Sequence, residues 1–223
     1  MSEKRIVMMG HAVEFSTMYQ SIKNMHYSEK VDFIFLNKQS EISINELKIC
    51  EKADLLFAFV NSYAEAKHLY KSLGCEINKK CIFLLEKKEN HKDCDDGFED
   101  KLIQWLYQNG TKKLVLQMII KMLCKKSYIV EPDLSQILKI SLDAPKFKSE
   151  IIVYKGKKEE VVRESEYFVN KNVNKKCKFL SIVGSLTLNE VVDIYDIYRN
   201  ESNPEYIISY EAEEECEVFL LIM

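Results

Sequence analysis

Glycine is scarce in this chain: six in 223 residues, at Gly10, Gly74, Gly97, Gly110, Gly156 and Gly184, and no two are close enough to share a loop. Backbone N–H groups close around a phosphate chain where clustered glycines leave the backbone bare. A loop of that kind is therefore excluded. Long apolar runs are missing too. The longest falls well short of the about 20 residues a bilayer requires, so no membrane span is expected. Nor is there an excess of one charge, with 32 basic residues against 35 acidic and a net charge of −3. The lysines are scattered among glutamates and read as solvated faces, which gives no electrostatic case for nucleic acid. Seven cysteines, an odd number, form no Cys-x-x-Cys pair. That pattern fits reduced thiols in a cytosol, and Cys124 and Cys177, inside apolar runs, serve as small hydrophobes. Metal-capable groups concentrate at His91, Asp93, Cys94, Asp95 and Asp96. No second Cys/His group completes a closed site, so this is a solvated loop and no metal is expected. Met1 to Arg5 is charged and leads straight into a strand pattern without an apolar signal region, so a cytoplasmic protein is expected.

What is present is organised around Thr111 to Leu142. From Lys113 to Lys125 the polar residues Lys113, Gln117, Lys121 and Lys125 recur at every fourth position, and Leu114, Val115, Leu116, Met118, Ile119, Ile120, Met122 and Leu123 cover the rest. This is the pattern of a helix enclosed on most sides, a spine between two sub-domains. It breaks at Glu131 and Pro132, and Asp133-Leu-Ser-Gln136 reads as the capped start of a further helix.

Before the spine, strands at Arg5 to Met9, Val31 to Leu36, Asp54 to Val60 and Cys81 to Leu85 alternate with helices. The first helix is expected to turn Val13, Phe15, Met18, Tyr19, Ile22 and Met25 inward. The second is expected over Ser43 to Cys50 with Ser43 as cap. The third runs over about Ser62 to Leu73, with Gly74 as its stop. Four apolar strands separated by helices predict a parallel sheet covered on both faces. A polar run from Glu86 to Asp96 precedes a helix predicted over Phe98 to Tyr107. After the spine, strands are expected at Ile151 to Tyr154 and Cys177 to Val183 around a helix from Lys158 to Lys171. Thr187-Leu-Asn-Glu190 is a capping box opening another helix. Tyr206 to Tyr210 and Cys216 to Met223 follow as two strands suited to a hairpin. The expected units are thus residues 1–110, a central helix over 111–126, and residues 127–223.

The order strand, Gly184-Ser-Leu-Thr-Leu-Asn-Glu-Val191, helix, Asn203-Pro-Glu-Tyr-Ile-Ile-Ser-Tyr210, acidic turn, apolar strand resembles the end of the globular part of the bacterial cell-division protein FtsZ, of the tubulin superfamily. Gly184, Leu186, Thr187, Leu188, Glu190 and Val191 match a recurring segment there, and Ile207 with Ile208 match the start of its penultimate strand. Residues 5–39 also follow the family's first strand, helix and second strand, with Asn37 at a matching position. The resemblance implies an α/β fold: a parallel-sheet N-terminal domain of FtsZ/tubulin type, a central helix, and a smaller α+β C-terminal domain. It also implies that the loop after the central helix, here Glu131 to Gln136, corresponds to the family's acidic loop that reaches the nucleotide of the next subunit. Asp133 keeps the first acid, Gln136 replaces the second, and Glu131 replaces an asparagine.

Departures from the family bear on function. After the first strand the chain reads Gly10-His-Ala-Val-Glu14-Phe15, where a glutamate and bulky groups oppose a phosphate by charge and volume. After the third strand, in place of the family's glycine-rich signature, stands Asn61-Ser-Tyr-Ala-Glu-Ala-Lys-His68. Ser62 at a helix start attracts an anion only weakly, and His11 and His68 read as ordinary polar residues. The family's tail and terminal partner-recruiting peptide are also expected to be lacking. The expectation is a non-catalytic FtsZ/tubulin-like protein without cofactor. Its partner would be an FtsZ-like protein or itself, met through Glu131, Asp133 and Gln136, as a regulator or cap of FtsZ-type filaments. The alternative is a divergent GTP-binding, polymer-forming GTPase.

Overall fold

The computed structural model describes residues 5–22, 31–37, 41–87, 102–124, 128–130, 134–142, 149–172, 175–199, 205–210 and 215–222. In chain order the elements are β1 (Ile6–His11), α1 (Ala12–Ile22), β2 (Val31–Leu36), α2 (Ile44–Glu51), β3 (Leu55–Val60), α3 (Tyr63–Asn78), β4 (Cys81–Lys87), β5 (Trp105–Gln108), α4 (Lys112–Cys124), β6 (Tyr128–Val130), α5 (Leu134–Leu142), β7 (Ser149–Gly156), α6 (Lys158–Lys171), β8 (Cys177–Gly184), α7 (Leu188–Tyr198), β9 (Glu205–Tyr210) and β10 (Cys216–Ile222). They form a mixed α/β fold. Contacts group Met1–Lys113 with Leu134–Lys148 as a first unit, and Leu114–Asp133 with Ser149–Met223 as a second.

In the first unit five strands run parallel in the order β2-β1-β3-β4-β5. Both faces are covered, which is why the strands read as continuous apolar runs. Val7, Met9, Leu56, Ala58, Val60, Phe83 and Leu85 join Ala66, Leu69 and Leu73 of α3 in one core. The alternate residues face the other way, where Phe15 and Tyr19 of α1 meet Phe33 and Phe35. Val13, expected on the inward face of α1, is 68% exposed; Phe15 and Tyr19 supply the contact, and Met18 is half-buried. Ser43 caps α2 as anticipated, in a full box with Glu46. Gly74 takes φ 76°, ψ 168° and interrupts α3, as a left-handed glycine stop should, but the chain resumes helical geometry for another turn to Asn78.

The helix expected over Phe98 to Tyr107 is corrected: residues 102–104 are not helical, Trp105–Gln108 is strand β5, and residues 98–101 lie outside the described set. The helical spacing of Leu102, Trp105 and Leu106 was misleading. Trp105 and Tyr107, two apart, are each 1% exposed and pack their rings on Phe57 and Phe59. Aromatic side chains at alternate positions suit a pleated, buried surface.

In the second unit the strand order is β7-β10-β8-β9-β6. β10 pairs antiparallel with β7 and β8, β9 runs parallel to β8, and β6 is antiparallel to β9. The expected hairpin of β9 and β10 is therefore not formed, because β8 lies between them. α6 and α7 cover this sheet through Val161, Val191, Ile194 and Tyr198. α4 is enclosed as its sequence implies: Val115, Leu116, Met118, Ile119, Ile120 and Met122 are fully buried. Its polar stripe follows solvent only in part: Lys113 is exposed and Gln117 half-buried, but Lys121 is buried. Its ammonium bonds Glu217 of β10 at 3.0 Å, and Lys155 of β7 bonds the same carboxylate at 2.8 Å.

Candidate functional site

In an open parallel sheet a ligand crevice forms at the carboxyl ends of neighbouring strands whose connections leave on opposite faces. In the first unit those strands are β1 and β3, followed by α1 and α3. β1 passes into α1 without an intervening loop residue, since His11 ends the strand and Ala12 begins the helix. Gly10 pairs with Phe35 on one side and Phe59 on the other, leaving a gap in a row of rings. Phe15 fills it. Its ring centroid lies 6.4 Å from that of Phe35 and 5.5 Å from that of Phe59, and a β-carbon placed on Gly10 would meet Phe15 Cδ2 at 2.5 Å.

Across the mouth, Lys112 Nζ donates to Glu14 Oε2 at 2.5 Å and to Asn61 Oδ1 at 3.0 Å. The lysine side chain is 8% exposed and that of Glu14 50%. At the start of α3, Ser62 Oγ accepts from the Glu65 backbone N–H at 3.1 Å, and Glu65 Oε2 accepts from the Asn61 N–H at 2.7 Å. The helix start expected to attract an anion only weakly has the chain's own Glu65 carboxylate bonded at its mouth. Beneath this cluster the Tyr107 hydroxyl is held above its ordinary pKa by burial first, then by Glu86, Glu14 and Glu65. At this end of the sheet Glu14, Lys112, Asn61 and Glu65 are joined by hydrogen bonds, beside the Phe15 ring seated on Gly10.

Of the other residues singled out by sequence, His11 is half-buried at the end of β1 and His68 is exposed on α3. Asn37 bonds locally, its Oδ1 accepting from the Glu41 N–H at 3.1 Å. Glu131 and Asp133 lie outside the described residues, as does the run from His91 to Asp96. Gln136 falls within α5, with its side chain outside what is described. Among the described residues no group of three or more His, Cys, Asp or Glu is placed to hold a metal ion. The residues sequence reasoning passed over are Lys112 and Tyr107. Lys112 looked like one more solvated lysine, and Tyr107 lay in the stretch assigned to a helix.

A separate cleft of about 290 Å³ in the second unit is lined by Lys158, Leu186, Glu190, Glu215 and Cys216 among others. Three of its charged side chains are paired: Lys158 Nζ bonds Glu190 Oε1 at 2.7 Å, and Glu215 pairs with Lys155 at 3.1 Å. Burial pushes the Cys216 thiol up to about 12, far from a reactive thiolate.

No protein-family model matches the chain, and no curated protein matches it by sequence. Solved structures do resemble its fold. CetZ from Methanosaeta thermophila strain DSM 6194 superimposes with a TM-score of 0.57 at 12% identity, over 98% of this chain and 86% of that one. TubZ of Bacillus thuringiensis serovar israelensis, in GDP-form protofilaments, gives 0.52 at 8% identity, over 99% of this chain and 88% of that one. The fold is that of the FtsZ/tubulin type.

Proposed function

We propose that this chain is a non-catalytic protein of the FtsZ/tubulin superfamily that acts by protein–protein interaction, on itself or on an FtsZ-like filament subunit. The observation that supports it is the Glu14–Lys112–Asn61 cluster drawn across the β1/β3 crevice, above a Phe15 ring seated on Gly10. A nucleotide needs unoccupied N–H donors and positive charge at this place. It meets a carboxylate, a filled gap and a helix start already capped by the chain itself. Phosphoryl transfer is catalysed almost wholly by positioning and electrostatic stabilisation, so a site of this make-up has no means to hydrolyse GTP. Calorimetric titration with GTP and magnesium is expected to show no binding heat. A micromolar dissociation constant would overturn the reading.

Within it, the finer reading is a filament cap. A subunit that keeps the face bearing Glu131, Asp133 and Gln136 but lacks a nucleotide face docks on a growing end and is not extended. Gln136 in place of an acid leaves the partner's GTP unhydrolysed at that junction. Light scattering of FtsZ from the same cells, with sub-stoichiometric amounts of this protein, is expected to report shortened polymers, and Asp133→Lys is expected to abolish the effect. Unchanged assembly counts against the cap.

A second reading, a divergent GTP-binding polymer former, is favoured by the TubZ likeness, since that protein was solved as GDP-form protofilaments. The two part on one measurement, the ultraviolet absorbance of the purified protein, read for retained nucleotide.

A further inference from the structure

β2 stands at the end of the first unit's strand order and, among the described residues, pairs only with β1. A strand bonded on one side leaves alternate main-chain N–H and C=O groups facing outward, a template for a further strand. Sheet edges are ordinarily blunted by proline, lysine, a bulge or a very short strand. β2 has none of these. Its pairing with β1 runs without a register shift from Val31 to Leu36, and five of its six residues are apolar. The one charge, Asp32, accepts from Arg5 Nε of the same chain at 2.5 Å. On the face toward α1, the rings of Phe33 and Phe35 lie 4.9 and 5.6 Å from that of Tyr19, and Phe35 is still 37% exposed.

The edge is also complementary to itself. Antiparallel strands set residues of the same face opposite each other. About a two-fold axis through Ile34, Phe33 of one copy meets Phe35 of the other, Ile34 meets itself, and Asp32 meets Leu36. Rings meet rings on both sides of the axis, and no like charges stand opposite. We propose that β2 is the surface through which this chain associates with a second copy, edge to edge and antiparallel. Such pairing uses up the edge in both partners, so it closes at a dimer. Six residues a side is little beside the about 1,200–2,000 Å² of a stable complex, so the dimer exchanges with monomer. The inference deepens the self-association named above and rests on that reading.

The test is sedimentation velocity of the full chain without nucleotide over rising concentration, with hydrogen exchange of its amides read at the same concentrations. The dimer fraction is expected to rise and saturate. The β2 amides that face away from β1 are expected to slow in proportion, while those of β3 keep their rates. Phe35→Lys sets a charge against Phe33 of the second copy and is expected to weaken dimerisation at least about tenfold, because the axis counts each loss twice. The exchange pattern of the parent reads the same surface without any substitution. A monomer at every concentration overturns the proposal alone and leaves an FtsZ-like subunit as the partner in the reading above. Dimers whose β2 exchange is unchanged, and growth that does not stop at a dimer, overturn it as well. So do β2 amides slow at every concentration, the sign of a segment of the same chain covering the edge. Assembly seen only with GTP overturns the proposal together with the reading it rests on.

Discussion

A β-carbon at Gly10 would press on Phe15 Cδ2 at 2.5 Å, so the glycine makes room for a neighbouring ring. Gly10→Ala forces Phe15 off its seat between Phe35 and Phe59, an overpacking that costs about 1–3 kcal/mol. Urea denaturation is expected to show that loss, and a variant as stable as the parent would show that the ring shifts freely. Glu190 offers a second test. The Lys158 ammonium, then the Thr187 backbone and hydroxyl, lower its pKa from 4.5 to about 2. Because the folded value lies below the unfolded one, its contribution is complete above about pH 4.5 and is lost as pH falls toward 2. Thermal melts across that window should fall more steeply for the parent than for Glu190→Gln, and parallel curves would remove the carboxylate from the account. The caps at Ser43 and Thr187 were legible in sequence because a box is written within four consecutive residues. Lys112 was not. It lies 98 positions from Glu14 and 51 from Asn61, and no local pattern distinguishes such a lysine from a solvated one.

Elements were legible where period and length agreed. Val31–Leu36, Lys158–Lys171 and the helix opened by Thr187 fall where the residue pattern puts them. β5 was not, because four residues satisfy a helical and a strand period about equally well, and only the rings of Phe57 and Phe59 decide between them. The three-residue β6 is too short to leave a signal. In α4 the regular polar stripe was seen but its surroundings were not. Lys121, with its partner Glu217 in the otherwise apolar β10, is buried. Removing one member strands a charge, which ordinarily costs about 3–5 kcal/mol, whereas removing both is far milder. Lys155 still holds Glu217 at 2.8 Å, so Lys121→Leu is expected to cost less than that, no more than about 3 kcal/mol. The double variant Lys121→Leu with Glu217→Leu should recover most of the loss in a denaturant cycle. Additive losses would show that the two side chains act independently.

At the scale of the molecule, the alternation of four apolar strands with helices made the parallel sheet of the first unit readable. The resemblance to FtsZ set the expected fold, and CetZ and TubZ share it at 12% and 8% identity. One fold is shared at such low identity because burial and period can be kept by many different residues. The strand order of the second unit was not readable, since sequence suggests pairing between neighbours and this sheet is laced otherwise. β10 sits between β7 and β8, both made earlier. That placement bears on synthesis. A nascent chain on the ribosome can close the first unit's strands as they emerge, but β7 and β8 have no partner on their facing edges until residues 216–222 clear the exit tunnel. Until then two strands with open edges wait in the same polypeptide, the condition that invites mispairing and holdase chaperones. A chain stopped after Glu215 is expected to accumulate as aggregate or chaperone-bound protein, with the second unit digested rapidly in limited proteolysis, and a soluble, protease-resistant product would mean that the sheet closes without β10.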